Sequence, residues 1–282
     1  MLNALTIDVE DYYQVAAFEP VVRFQDWDRY ESRVEKNTHL ILDLLDAYKT
    51  KATFFILGWV AERQTRLVRA IAEREHEVAS HGYSHRRIYT QTPQQFREET
   101  RRSKRLLEDV IGQPVRGYRA ASYSITIQSM WALDILREEG FAYDSSIFPI
   151  HHDLYGISSY HRFCHVLDGH NGGGLVEFPL STVRFWGTNF PLAGGGYLRL
   201  FPYVLTRWGV RHLNQKEGQP VVIYLHPWEV DPDQPRIHAS FVSRFRHYLN
   251  LQRTLGRLEH LLRDFTLGTM LQVLRERGLM EV

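Results

Sequence analysis

Glu77-Val78-Ala79-Ser80-His81-Gly82-Tyr83-Ser84-His85 runs from a short apolar, strand-like segment into a turn of small residues and carries two histidines four apart. Histidines at i and i+4 share one face of a helix or helical turn. Two imidazoles plus a carboxylate form a common set for a catalytic zinc or similar divalent ion with an open water position. Alone the pair is weak, since 14 histidines in 282 residues produce such spacings by chance. Its place at a strand end gives it weight. A second strand-like run, Leu5-Thr6-Ile7-Asp8-Val9-Glu10-Asp11, ends in three carboxylates.

Outward from these stretches, short β-rich runs alternate with longer helical patterns. Strands are expected at Ala4–Val9, Ala52–Leu57, Glu77–Ser80, Gly117–Ala120, Tyr143–Ser146, Val176–Leu180 and Val221–Leu225. Helices are expected near Thr38–Tyr48, Trp59–Glu73, Thr92–Ile111, Ile127–Glu139 and Phe201–Glu217, with Thr38 and Thr92 as N-caps and Pro93 at a first helical position. Gly112 and Gly140 fit helix stops. This alternation predicts βαβ units and a parallel sheet. Seven such strands point to a closed or nearly closed barrel, with an open doubly wound sheet as the alternative. No phosphate-cradling glycine loop follows the first strand, which argues against a dinucleotide fold. Gly172-Gly173-Gly174 and Gly194-Gly195-Gly196 read as loop flexibility, and neither opens a helix in a βαβ setting. Residues 241–265 show apolar residues at helical spacing, and a short helix over Leu267–Arg275 is expected to follow. The expected division is a barrel over residues 1–239 and a helical extension over 240–282 packed on it.

Basic and acidic residues balance at 34 and 33, so the chain has no electrostatic footprint for nucleic acid. Apolar residues make up 44%, enough for a sizeable core. Cys164 is the one cysteine, which precludes an intrachain disulfide. No secretory signal and no membrane-length apolar run is recognised. The expectation is a cytoplasmic protein, with contact at the inner face of the membrane left open.

The polar residues of interest fall at C-terminal strand ends: Asp8, Glu10 and Asp11, then His81, Arg119, Asp144 and His226. In a parallel barrel these ends share one rim, where active sites are built. An ion held by His81, His85 and one carboxylate polarises a carbonyl and acidifies water. Asp8 suits the general base, with Glu10 or Asp11 as third ligand; strand alternation puts Asp8 and Glu10 on one face and favours Glu10. His226 suits the general acid, Arg119 a partner that orients Asp8, and Asp144 a group that fixes the tautomer of His226. Each has an ordinary structural role in isolation, as an ion-pair partner, a turn cap or a satisfied loop histidine.

These segments resemble the polysaccharide deacetylase family, metal-dependent carbohydrate esterases with a distorted (β/α)7-type barrel. Thr6–Asp11 resembles its first motif, Ser80–His85 its second, Arg119-Ala120-Ala121-Ser122-Tyr123 its third and Tyr224-Leu225-His226 its last. The run His247-Tyr248-Leu249-Asn250-Leu251, with Arg253-Thr254 and Leu261–Phe265, is similar to a branch associated with bacterial exosortase and exopolysaccharide loci. The chain departs from the family at Asp8-Val9-Glu10-Asp11, where many members have adjacent aspartates. It departs again at Ala121-Ser122-Tyr123, where a proline usually precedes the aromatic residue and a backbone amide serves the oxyanion hole. The resemblance implies a divalent metal, zinc first with cobalt or nickel as alternatives, and an N-acetylated saccharide substrate. Trp228 and Tyr123, with Trp186 and Phe148, are the candidates to line a sugar platform, because aromatic faces suit the apolar faces of sugars. The rival expectations are hydrolysis of a small non-sugar amide and a non-catalytic carbohydrate-binding role.

Overall fold

The computed structural model describes residues 1–152, 154–167, 174–192 and 194–281. Its strands are β1 (Asn3–Val9), β2 (Thr53–Ile56), β3 (Glu77–Ser80), β4 (Gly117–Tyr118), β5 (Tyr143–Asp144), β6 (His165–Leu167), β7 (Leu175–Glu177), β8 (Thr182–Phe185), β9 (Thr188–Pro191), β10 (Val222–Leu225) and β11 (Leu267–Gly268). Its α-helices are α1 (Val34–Ala47), α2 (Gly58–Arg63), α3 (Thr65–Glu73), α4 (Pro93–Ile111), α5 (Trp131–Glu138), α6 (Gly195–Leu200), α7 (Tyr203–Gln215), α8 (Phe241–Tyr248), α9 (Thr254–Asp264) and α10 (Met270–Glu276).

Strands β10-β1-β2-β3-β4-β5-β7 lie side by side in parallel, β6 adds an antiparallel edge, and β8–β9 form a separate hairpin. Each of the seven expected strands is therefore present, and the architecture is a distorted (β/α)7-type barrel. The distortion is a seam: β7 and β10 do not pair. Single contacts stitch that side instead, with Val222 N donating to Ser181 Oγ at 2.8 Å and Gly194 bridging Tyr224.

Side-chain alternation along the strands sorts residues into two layers. Leu5, Ile7, Val9, Phe54, Ile56, Val78, Ile223 and Leu225 join the outer core beneath the helices. Ala4, Phe55, Ala79, Tyr143, Val176, Val222 and Tyr224 fill the barrel interior. Gly117 is required there, because a Cβ would lie 2.1 Å from the Tyr143 ring.

Helix α4 shows how the outer layer is specified. Thr92 accepts from Gln95 N at 3.2 Å in a capping box, Pro93 takes the first turn, and Gly112 ends it, as the sequence indicates. Its buried stripe is Phe96, Thr100, Ser103 and Leu107, at helical spacing. Full burial of Phe96 or Leu107 contributes roughly 1.5–3 kcal/mol. Ser103 Oγ donates to Gly82 O at 2.9 Å and so pins the turn after β3.

Other boundaries differ from expectation for tertiary reasons. Helix α1 starts at Val34, not Thr38: Asp11, at the end of β1, accepts the amides of Arg33 and Val34 at 2.7 and 3.1 Å. A carboxylate there caps free amides and complements the helix dipole. Thr38 instead donates back to Val34 O at 2.6 Å. Trp59–Glu73 divides into α2 and α3 at the non-helical Gln64. The run from 241 to 265 also breaks, into α8 and α9 around Leu251–Arg253.

Leu267 and Gly268 form a strand against β1 before α10 begins. Met270 N then donates to Thr53 Oγ1 at 2.8 Å and Leu271 N to Glu77 Oε2 at 3.1 Å. Met270, Val273 and Leu274 enter the barrel's inner cluster. Helix α10 thus stoppers the N-terminal end of the barrel, leaving the opposite rim for a site. Residues 172–173 of the first glycine run lie outside the described residues. In the second run, Gly195 opens the short helix α6 that leads into α7.

Candidate active site

The same alternation that fills the interior aims five polar residues into the C-terminal rim. Asp8 and Glu10 follow Ala4 and Thr6 on β1, His81 follows Ala79, Arg119 follows Gly117, and His226 follows Tyr224. The side chains of Asp8, Glu10, His81 and Arg119 are at most 2% exposed.

Arg119 spans the interior. Its Nη1 donates to Asp8 Oδ1 and Thr6 Oγ1, each at 2.7 Å, while Nε and Nη2 donate to the carbonyl and hydroxyl of Ser145. Its guanidinium carbon sits 4.1 Å from the centre of the Phe55 ring. The second Asp8 oxygen accepts from Tyr123 OH at 3.3 Å and faces His226 Nε2 at 3.9 Å. Asp8 is thereby fixed from behind and leaves one oxygen toward the site.

His81 and His85 come together without a helix. The residues after β3 form an irregular turn in which Gly82 and His85 both adopt positive φ, and the two rings approach to 5.4 Å between centroids. His81 Nδ1 contacts Arg119 O at 2.8 Å. A carbonyl accepts only from an N–H, so this bond leaves Nε2 with its lone pair facing the rim. Glu10 Oε2 lies 2.8 Å from His85 Nε2, buried in an arrangement that meets no hydrogen-bond geometry. One ligand atom from each of Glu10, His81 and His85 lies within 4.8 Å of the others. Two imidazoles and a carboxylate, one imidazole oriented from behind, fit a divalent cation of the zinc type. Burial opposes the charge on Glu10, but His85, with His226 and His81, holds its carboxyl well below the usual range. Burial pushes His81 down to about 4, favouring the neutral ligand form.

Asp11, the other candidate ligand, points away. Its oxygens accept from Tyr12 N, Ser32 Oγ, Arg33 N and Val34 N, where it caps α1. Alternation along β1 explains the difference between it and Glu10.

His226 is not held by Asp144. On β5, Tyr143 points inward, so Asp144 points to the outer layer. There it accepts from Ser146 N and Oγ and lies opposite Glu177 in the β5–β7 register. Burial raises the Asp144 carboxyl to about 6. The partner of His226 is Glu229, three residues on in the 3-10 turn Pro227–Val230, whose Oε1 meets Nδ1 at 2.5 Å. Arg199 Nε donates to Glu229 Oε2 at 2.9 Å, and the same guanidinium reaches the carbonyls of Arg246, His247 and Leu249. Burial works against a charged His226, yet Glu229, Glu10 and Asp8 raise it to about 9. Glu229 had a local signal in its His-x-x-Glu spacing; Arg199 had none.

Helix α6 reaches Glu229 because it begins on glycine. A Cβ on Gly195 would stand 2.9 Å from Tyr224 and 3.3 Å from Glu229 Oε1, and its φ is +43°. Trp228 is only 5% exposed. It stacks between His226 and His247, at 5.2 and 4.1 Å, and donates to Glu10 Oε1 at 3.2 Å. It is a wall of the site, with no open face for a sugar. Tyr123 is likewise buried, with its hydroxyl on Asp8. Ser122 and Tyr123 both have φ of +52°, which a proline at 122 cannot adopt because its ring fixes φ near −65°. Tyr123 N donates to Ala120 O at 3.0 Å, within this turn.

The architecture and rim define a class: barrels of the polysaccharide deacetylase type. Residues 22–141 match the family model described as polysaccharide deacetylase, and residues 145–275 match a second, a domain of unknown function (DUF3473). The chain is 31% identical over 114 residues to a peptidoglycan deacetylase of Helicobacter pylori, covering 40% of this chain and 37% of that protein. A crystal structure from Mycobacterium smegmatis assigned to the polysaccharide deacetylases superposes with a TM-score of 0.62 at 21% identity, over 98% of this chain and 91% of that one. PuuE allantoinase gives a TM-score of 0.62 at 13% identity, over 96% and 88%. The chain spans 37% and 42% of the first two curated relatives it matches.

Proposed function

We propose that the protein is a metal-dependent hydrolase that removes the acetyl group from an N-acetylated amino sugar of a bacterial exopolysaccharide or its precursor. The observation that carries this reading is the convergence of Glu10, His81 and His85 beside Asp8 and His226 on one rim. Residues 22–141 match a family named for this reaction, and the Helicobacter pylori relative is named for deacetylation of peptidoglycan.

Glu10, His81 and His85 would hold the cation, zinc first and cobalt or nickel next. When bound, it supplies Lewis acidity toward a carbonyl and toward water. Asp8, clamped by Arg119 through one oxygen, presents the other, which Tyr123 OH also contacts, as general base for the attacking water. His226, held protonated near neutral pH by Glu229 and the rim carboxylates, donates its Nε2 proton to the departing amine. Acetate and a free amino sugar result. The exopolysaccharide assignment rests on the resemblance of residues 247–265 to that branch. A precursor at the cytoplasmic face of the membrane is the substrate location we propose.

Purified protein supplied with zinc or cobalt is expected to release acetate from an N-acetylhexosamine oligomer, and His81→Ala to abolish release. Undiminished release by His81→Ala overturns the metal assignment. Turnover of small linear or cyclic amides with none of the oligomer favours the non-sugar alternative.

A further inference from the structure

Among the described residues, nothing covers an apolar surface carried by the β8–β9 hairpin and α7. Phe185, Trp186 and Phe190 on the hairpin, and Val204, Leu205 and Trp208 on α7, each leave at least 43% of their surface in solvent, and Trp186 at the hairpin turn is fully exposed. They are continuous: Phe185 stacks on Trp208 at 5.3 Å and meets Phe190 edge-on at 6.2 Å. Positions 204, 205 and 208 lie one helical turn apart on the outward face of α7, where a soluble helix ordinarily places polar residues.

The unpaired charges on the hairpin and α7 among the described residues are basic. Arg184 on the hairpin and Arg211, one turn beyond Trp208, are exposed and form no ion pair among the described residues. The neighbouring acids are already paired: Asp264 with Arg207 at 3.0 Å, while also accepting from Tyr203 OH at 2.6 Å, and Glu217 with Arg162 at 2.7 Å. An exposed tryptophan at a tip, aliphatic side chains beside it and arginines at the edge match the interface of an anionic bilayer. A glycan platform uses aromatic faces and has no use for Val204 and Leu205. Helix α6, whose first residue packs against Tyr224 and Glu229, leads directly into α7. The surface and the catalytic rim are thus built on one segment of chain.

We propose that the β8–β9 hairpin and the outward face of α7 seat this protein on an anionic lipid surface, with Trp186 inserted among the headgroups and Arg184 and Arg211 against lipid phosphates. The proposal is independent of the deacetylase reading, because the test below measures lipid binding alone. Full-length protein is sedimented with phosphatidylcholine vesicles, with or without roughly one-third phosphatidylglycerol. The expected result is salt-sensitive binding to the anionic vesicles, weakened at least ~10-fold by Trp186→Ser and by the pair Arg184→Glu and Arg211→Glu. All of these substitutions are at exposed positions, and circular dichroism checks the fold. No binding at low salt, or binding unchanged in both variants, overturns it. So does a wild-type dimer that Trp186→Ser converts to monomer with no vesicle binding, which assigns the surface to a second copy of the chain.

Discussion

Glu229 Oε1 meets His226 Nδ1 within a single 3-10 turn, while Arg199 Nε holds the other Glu229 oxygen at 2.9 Å. This three-residue line crosses from α6 through the turn after β10 to the inside of the rim. It ties the C-terminal carbonyls of the α8 region to the group proposed as general acid.

Glu229→Gln keeps the side-chain shape but removes the charge that favours protonated His226. We expect kcat for acetate release to fall about 10–100-fold with KM little changed, since general acid catalysis contributes about 10²–10⁴-fold. Asp144→Asn is expected to leave kcat within about 3-fold, because its carboxylate faces Ser146 and Glu177. Steady-state kinetics of both variants decides. A large loss in Asp144→Asn with none in Glu229→Gln sinks the assignment.

Glu10 and Asp11 test the proposed division between ligand and cap. Glu10→Gln is expected to weaken zinc or cobalt binding by at least ~10–100-fold in a calorimetric titration. Asp11→Asn is expected to keep one metal per chain and to lose about 1–2 kcal/mol in urea unfolding, the cost of an impaired helix cap. The reverse pattern would show Asp11 to be the ligand.

His76 supplies a pH signature away from the rim. Burial, with Lys51 nearby, pushes its imidazole down to about 4, and Nδ1 accepts from Ala52 N at 3.2 Å. The native state therefore binds fewer protons than the unfolded chain between pH 4 and the ordinary histidine value near 6.5. Its contribution is intact above about 6.5 and is lost as pH falls toward about 4, by roughly 2–3 kcal/mol. His76→Asn, which retains an acceptor, is expected to flatten that slope in chelator-treated protein. Equal slopes for both proteins would refute it.

Met270 tests the stopper. Met270→Ala is expected to lower unfolding free energy by about 2–5 kcal/mol, since the side chain is fully buried in the barrel interior. KM is expected to stay unchanged, because α10 lies at the end opposite the rim. A selective change in KM with wild-type stability would contradict this placement.

The amino-acid sequence by itself determined the seven parallel strands, the capping box of α4 and the residues that gather on the rim. These features are local or periodic: strand runs, a Thr-Pro start, and the alternation that sets Glu10 beside Asp8. Tertiary structure alone decided which side chains meet. Asp144 and His226 both end strands, but the inward turn of Tyr143 sends Asp144 to the outer layer, and Glu229 takes the place beside His226. Thr38 looks like a helix start, yet Asp11, 23 residues before Val34, supplies the cap. Arg199 meets Glu229 from 30 positions away in the chain. His81 and His85 share a site through a glycine turn with positive φ, where their spacing suggested a helix. Distant partners of this kind leave no periodic mark in a sequence, because the burial that selects them exists only once the barrel is packed.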